Sequence, residues 1–466
     1  MFNLKKFFSR ETYNPLTPEL IREYNQHRPL GPQPYLCYAP FKSIYFGHGG
    51  KAVACCYNRN HVLGTYPHQS IKQIWFGDEA NKLREYIKHN DLSLGCLGCK
   101  QHITSGNFDA VKTLQYDERT LNKNKYPSVM EFELSNVCNL ECAMCNGNFS
   151  SLIRAKRENL PPLEIPYNTA FVNQLEEFIP YLDEVKFYGG EPFLVDIYYD
   201  IWERILKINP KVRISVQTNG TTLNSRLKDL MEGIDFHINV SFDSLKKEVY
   251  EEIRKNAVYE RVRENINYFR EYCRRKNTFF GISVCAMQQN RMELPEFINF
   301  CNGLDAPVYF HTVLYPEHCS IRNLSSTQLD ETVDFLKGFS FPESTPVQKK
   351  NAQHYHDLLN QIVQWQSKAT RRIDVSSIKT FADLEQLIIA HVRNDKSSVE
   401  ELKQARIQKI ETNLQNLKSR LPAEMLNRLL GRFDINDPFL LDNASFFLEK
   451  LSVDELIARY NEVVQK

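Results

Sequence analysis

The chain has 466 residues, 42% hydrophobic and 25% charged, the make-up of an ordinary globular protein of two or three domains. Lys and Arg number 58 against 57 Asp and Glu, a formal net charge of +1, so no global field favours nucleic acid or an anionic membrane. No run of eighteen or more apolar residues exists and Met1–Glu11 lacks a sustained apolar segment, which predicts a cytoplasmic protein without membrane partners; twelve cysteines there point to metal or redox chemistry rather than disulfides.

The first candidate unit spans residues 30–105. Lys42 to Phe46 and Lys51 to Cys56 alternate by twos around His48-Gly49-Gly50, which predicts a hairpin. A helical stretch follows from Ile71 to His89. Cys37, Cys55, Cys96 and Cys99 supply four thiolates, the number that saturates one zinc ion or one iron-sulfur cube, and both remain open at this point. Cys56 adjoins Cys55, and adjacent strand residues point to opposite faces, so only one of the two faces the site.

Residues 128–316 alternate strand-like and helix-like runs. The strand candidates are Val129 to Leu134, Glu184 to Tyr188, Val212 to Thr218, Phe236 to Phe242, Phe279 to Cys285 and Val308 to Leu314, with amphipathic segments such as Tyr250 to Arg270 and Glu293 to Cys301 between them. This alternation predicts an α/β fold with a parallel sheet and helices outside it. Just after the first strand comes Cys138-x3-Cys142-x2-Cys145. Three thiolates hold a four-iron cube and leave one iron open, and no fourth Cys or His stands close by to complete a zinc site. Phe187-Tyr188-Gly189-Gly190-Glu191-Pro192, Val216-Gln217-Thr218-Asn219-Gly220 and Val240-Ser241-Phe242-Asp243 fall at the ends of the next three strands.

Together these four motifs resemble the radical S-adenosylmethionine (radical SAM) superfamily. The resemblance implies a partial (β/α)6 TIM-like barrel, with a doubly wound open sheet as the structural alternative. It implies a [4Fe-4S] cluster on Cys138, Cys142 and Cys145 whose open iron chelates S-adenosylmethionine. Reductive cleavage of that cofactor would give a 5'-deoxyadenosyl radical that abstracts hydrogen from a substrate, with electrons from a reductant such as a flavodoxin or ferredoxin. On the same resemblance Gly189 and Gly190 let backbone approach the methionine moiety, and Glu191 accepts from its ammonium. Thr218, Asn219, Ser241 and Asp243 serve the ribose hydroxyls and the carboxylate, and Arg254 binds the carboxylate. Taken alone, the glycine pair is a turn before an edge proline and Arg254 a surface salt-bridge partner. Met144 stands where the family usually has an aromatic residue.

A second resemblance is to the SPASM and twitch auxiliary-cluster domains. Cys37, twelve residues, Gly50, four residues and Cys55 open the pattern, Cys96-x2-Cys99 closes it, and Gly64 with Ile74-Trp75 lies between. Such domains usually follow the barrel, and the extra cysteines of the two-cluster form are missing, so one auxiliary [4Fe-4S] cluster is implied, with a zinc ribbon as the alternative.

Cys319 lies just past the last strand, where a thiol that returns a hydrogen atom to a substrate radical would be catalytic and where a buried, idle cysteine is the simpler reading. His318 reads as a loop residue, and Arg274-Arg275-Lys276 and Arg371-Arg372 as solvated helix faces. Residues 326–466 read as a helical C-terminal region. In it Ile407, Ile410, Leu414, Leu417 and Leu421 form a core stripe rather than an oligomer seam, and Pro422 stops the helix. The two resemblances imply a radical SAM oxidoreductase that modifies a peptide or protein by crosslinking, oxidation or epimerisation. A small-metabolite substrate and a non-catalytic iron-sulfur scaffold are the alternatives.

Overall fold

The computed structural model describes residues 13–369, 378–395, 399–430 and 440–450, with 453, 454, 456 and 457. The expectations for Met1–Glu11, for Arg371-Arg372 and for much of the stretch after residue 430 lie outside the described residues. The chain forms two compact units: Met1–Leu134, Glu164–Lys186 and Lys207–Val212 make the first, and Ser135–Leu163, Phe187–Leu206 and Arg213–Lys466 the second.

In the first unit run β1 (Ser43–Phe46), β2 (Lys51–Val53), β3 (Gly64–Thr65), β4 (Val129–Phe132) and β5 (Glu184–Phe187), ordered β3-β2-β1-β4-β5. The predicted hairpin is present, antiparallel with Tyr45 opposite Val53 and Phe46 opposite Ala52. It does not stand apart from the strand that follows it, because β1 also pairs in parallel with β4 from Ser43↔Val129 to Phe46↔Phe132. That pairing removes an open edge from β1 and buries Ile44, Phe46, Met130 and Phe132. The helix expected from Ile71 to His89 is two helices, Ile71–Trp75 and Asp78–Lys88. They part at Gly77, where a Cβ would fall 2.4 Å from Gln73 O.

The second unit contains β6 (Arg213–Thr218), β7 (Phe236–Ser241), β8 (Phe280–Ala286) and β9 (Val308–Thr312), parallel and in chain order. Ile214, Val216, Ile238, Val240, Ile282 and Val284 are buried on one face, at every second position, as a strand period requires. Helices Ser225–Gly233, Tyr259–Lys276 and Leu294–Leu304 separate the strands. The longest buries Val262, Ile266, Phe269 and Cys273, spaced by three and four residues. Strands β4 to β9 thus alternate with helices as expected of a partial (β/α)6 barrel.

One expected helix breaks here as well. Tyr250 to Arg270 is split into Lys247–Ile253 and Tyr259–Lys276, with Asn256 left-handed at φ 76° in the gap. Toward the C-terminus, Ser326–Lys337, Pro346–Ala369, Phe381–Arg393, Glu400–Arg420, Ala423–Leu430 and Leu440–Lys450 are helical. Ile410, Leu414, Leu417 and Leu421 are buried against Leu384 and Ile388, so their stripe is core. No described helix is long and apolar enough to cross a membrane.

Candidate cofactor sites

Cys138, Cys142 and Cys145 occupy the loop after β4, and the loop is held by backbone on both sides. Glu141 N donates to Lys255 O at 3.0 Å and Ala143 N to Ile253 O at 2.8 Å, so Cys142 lies in a short pairing with the gap between the two helices. That pairing sets Arg254 Nη1 4.0 Å from Cys142 Sγ. Cys138 N donates to Ser151 Oγ at 3.3 Å, and Asn219 Nδ2 lies 3.9 Å from Cys138 Sγ. Arg157, which the sequence reading missed, donates to Cys142 O at 3.3 Å and also to Cys145 O.

Burial pushes the Cys142 thiol up to about 12, opposed by the Arg254 guanidinium. It pushes Cys145 up to about 11, with Cys138 adding to the rise. Free thiols here hold their protons at neutral pH, and a metal must displace them. Among the described residues, no three His, Cys, Asp or Glu side chains gather closely enough to hold a single metal ion. Thiolates on one zinc all lie about 2.3 Å from it, whereas those on a cube bind separate irons.

The turn after β5 carries Gly189 at φ 80° and Gly190 at φ 49°, left-handed positions that suit glycine. A Cβ on Gly190 would fall 2.1 Å from Val137 O, the carbonyl just before Cys138, and Glu191 N donates to that same oxygen at 2.8 Å. The close backbone approach expected toward a ligand is, at Gly190, an approach to the cysteine loop itself.

Glu191 was expected to face an ammonium group. It is fully buried, with Oε1 accepting from Thr218 Oγ1 at 2.6 Å and Phe193 N at 3.2 Å, and Oε2 from Asn219 N at 2.6 Å. Its carboxyl ties the glycine turn to the end of β6. Burial raises it to about 7 against the pull of these donors.

Asp243 and Arg254 come together at the end of β7. Asp243 Oδ1 accepts from Cys285 N at 2.7 Å, and Oδ2 lies 2.8 Å from Arg254 Nε. The Nε–H is not aligned on that oxygen, so the contact is ionic rather than a directed hydrogen bond. Arg254 is 6% exposed, which corrects the reading of it as a surface salt-bridge partner. Burial raises Asp243, and the guanidinium acts in the opposite direction. Ser241 Oγ, expected at a ribose, accepts from Gln217 Nε2 at 2.7 Å.

Cys319 is fully buried in an apolar cluster with Ile253, Met287 and Val313, against which Met144 and Cys285 pack. Gln289 Nε2 lies 3.7 Å from its sulfur. His318 is in the short turn Glu317–Cys319.

In the first unit, Cys37, Cys55, Cys96 and Cys99 line a cavity of about 110 Å³. Four thiolates around a hollow of this size can hold an inorganic cube. Ala39 N donates to Cys37 Sγ at 3.3 Å and Asn58 Nδ2 to Cys96 Sγ at 3.2 Å, contacts that favour charged sulfur. Burial pushes Cys55 up to about 12 and takes Cys37 and Cys96 well above the usual thiol range, the neighbouring cysteines adding to it. Cys56 does not line the hollow; its surroundings include Glu131 and Lys186. Both Cys55 and Cys56 lie in a bend past β2 rather than in the strand, so turn geometry, not the strand period, separates them.

Residues 132–301 match the model of the radical SAM superfamily, and residues 37–100 match SPASM, an iron-sulfur cluster-binding domain. Among curated proteins, the chain is 29% identical over 187 residues to a GTP 3',8-cyclase of Limosilactobacillus fermentum (strain NBRC 3956 / LMG 18251), covering 39% of this chain and 52% of that one. It is 26% identical over 193 residues to the GTP 3',8-cyclase of Clostridium perfringens (strain SM101 / Type A), covering 38% and 53%. The chain therefore spans about half the length of the curated relatives it matches. Solved structures similar to it include native anSMEcpe with bound AdoMet, at 20% identity and TM-score 0.34 over 45% of this chain and 58% of that one. Streptococcus suis SuiB bound to S-adenosylmethionine is similar at 14% identity and TM-score 0.33, over 55% and 62%. The two matched domains imply a [4Fe-4S] cluster, S-adenosylmethionine and an auxiliary iron-sulfur centre, and the loop and the hollow fit them. The chain carries a radical SAM domain over residues 132–301 and, ahead of it, an iron-sulfur cluster-binding SPASM domain over residues 37–100.

Proposed function

We propose that the protein abstracts hydrogen from a peptide or protein substrate and converts the substrate radical to a crosslinked, oxidised or epimerised residue. The observation that carries this reading is the four-cysteine hollow in a chain that also has the three-cysteine loop. Taking a C–H bond past the radical stage to a crosslink or an oxidised residue leaves one electron and one proton to place, and a second redox centre in the hollow would give the electron a destination, whereas epimerisation needs a hydrogen atom returned to the radical by a donor such as a thiol.

When bound, the cluster and S-adenosylmethionine supply one-electron reduction and carbon-sulfur homolysis. The chain's own residues hold and shield them. Cys138, Cys142 and Cys145 serve as ligands of the open cluster, and Cys37, Cys55, Cys96 and Cys99 as ligands of the auxiliary one. Arg254 is poised to exchange its unaligned contact with Asp243 for a ligand carboxylate. Asn219, beside Cys138, remains a cofactor residue, as do Gly189 and Thr218 around it. Glu191 and Gly190 act by bracing the cysteine loop. Cys319, packed among apolar side chains beside Met144 and Cys285, is the thiol that would return a hydrogen atom if the outcome is an epimer, and is packing otherwise.

A peptide suits the uncharged hydrogen-bonding side chains on β6 to β9, Gln217, Asn239 and Ser283 among them. A nucleoside triphosphate calls for lysines and arginines. The second reading, conversion of a small metabolite, draws on the similarity to GTP 3',8-cyclases.

The test is anaerobic reconstitution, reduction by dithionite or by a flavodoxin or ferredoxin, and measurement of 5'-deoxyadenosine in two reactions. One contains GTP, and the other contains short peptides encoded beside the gene. Loss of two hydrogens from a peptide, or deuterium uptake from heavy water, is the expected outcome. GTP consumption with unchanged peptides replaces this reading with the second, and no 5'-deoxyadenosine from fully loaded protein leaves a scaffold.

A further inference from the structure

Parallel strands are ordinarily covered on both faces and apolar on both. β6 to β9 depart from that. One face is buried and apolar, and the other carries a continuous row of hydrogen-bonded polar side chains. Gln217 Nε2 donates to Ser241 Oγ at 2.7 Å. Asn239 Nδ2 donates to Gln217 Oε1 at 2.8 Å and to Ser283 Oγ at 2.7 Å. Ser283 Oγ also lies 3.3 Å from His311 Nε2, with the donor set by the imidazole tautomer.

The strand register makes this row possible. Gln217 is the direct neighbour of Asn239 in the pairing of β6 with β7, and Ser241 of Ser283 in that of β7 with β8. The row runs across all four strands to the exposed His311 and ends, at Ser241, two residues from Asp243. It therefore adjoins the cofactor end of the sheet.

Two features define what such a row would recognise. Every member is able both to donate and to accept, and none carries a fixed charge. Asn239 Oδ1 is also buried without a hydrogen-bond partner, so Asn239 acts in the row through its amide donors alone. We infer that Gln217, Ser241, Ser283 and His311, aligned by Asn239, form the substrate-recognition row of this enzyme and bind an uncharged amide group of a peptide rather than a phosphate or carboxylate. A peptide amide offers an N–H and a C=O side by side, the complement of a carboxamide such as Gln217. Asn239 is the positioning residue, since its amide fixes Gln217 and Ser283 at once.

This inference rests on the peptide reading above, and its test is separable from it. The reconstituted full chain with S-adenosylmethionine is titrated by saturation-transfer NMR with two small probes, N-methylacetamide, which is a neutral amide, and acetate, which is anionic and has no amide. We expect the neutral probe to bind at least fivefold more tightly. Gln217→Leu should weaken it at least fivefold, and Gln217→Lys should reverse the preference toward the anion, a reversal that a purely structural role for Gln217 would not produce. Equal binding of the two probes, no saturable binding of either, or an unchanged preference in Gln217→Lys overturns the inference. Product analysis with GTP and peptides judges the substrate reading independently: peptide turnover with no probe preference removes only the row, and GTP turnover with a clear neutral preference removes only the peptide.

Discussion

Arg254 and Asp243 form a buried ion pair, Nε to Oδ2 at 2.8 Å, in which the arginine is also 4.0 Å from the sulfur of Cys142. Neither charge is satisfied without the other. Arg254→Met should destabilise the ligand-free protein by about 3–5 kcal/mol, because Asp243 is left charged and unpaired in the interior. Adding Asp243→Asn, which keeps an acceptor for Cys285 N, should recover most of that loss. Urea unfolding of the two single variants and the double variant measures the coupling, and simple additivity would exclude it.

Gly190→Ala places a methyl group where Val137 O stands, at a left-handed φ of 49°. A loss of about 2 kcal/mol or more is expected from the strain and the contact, together with reduced iron retention by the adjoining cysteine loop. Gly303→Ala is the control. Gly303 lies in the Leu294–Leu304 helix with open space around its Cα, and alanine there should be neutral or stabilise by about 0.5–1 kcal/mol.

Glu191 gives the stability curve a definite sign. Its folded pKa of about 7 lies above the ordinary carboxylate value of 4.5, so the folded state binds the proton more tightly. The protonated form's advantage is complete below about 4.5 and is lost as pH rises through 7, a decline of about 3 kcal/mol. Glu191→Gln should flatten that decline between pH 5 and pH 8 in thermal or urea unfolding of the ligand-free protein. Glu191→Ala should be worse than wild type throughout, since it strands the amides of Phe193 and Asn219 and the hydroxyl of Thr218.

The two cysteine sets should load independently. Serine at Cys138, Cys142 and Cys145 should remove about four irons per chain, and serine at Cys37, Cys55, Cys96 and Cys99 about four others. Iron and sulfide analysis after anaerobic purification checks both. Zinc retained by the first variant, in place of iron, would return the hollow to the zinc reading.

The sequence motifs named most of the residues that the structure gathers, because cysteine spacing and strand-terminal glycines are local signals. Cys138, Cys142, Cys145, Asn219, Asp243 and Arg254 were all identifiable in this way. Their partners were not. That Glu191 serves Thr218 and Asn219, or that Gly190 abuts Val137, depends on how chain segments far apart in sequence meet. The break at Asn256 escaped notice because Tyr250 to Arg270 keeps a helical pattern across it, and only the left-handed residue marks the gap that delivers Arg254. Arg157 carries no motif, and its grip on two carbonyls arises solely from the fold. The polar row was half visible, in the alternation of Gln217, Asn239 and Ser241 with Val216, Ile238 and Val240, yet period-two patterning tells a strand's faces apart without saying which is used.

The pairing of Glu141 and Ala143 with Lys255 and Ile253 also has a bearing on biosynthesis. A chain emerging from the ribosome has every wall of the auxiliary hollow once Tyr116 is out, but its three-cysteine loop cannot close until residue 255 has been made. The N-terminal centre is thus ready to be metallated first, and the reactive one acquires its grip only after most of the surrounding enzyme exists to shield it.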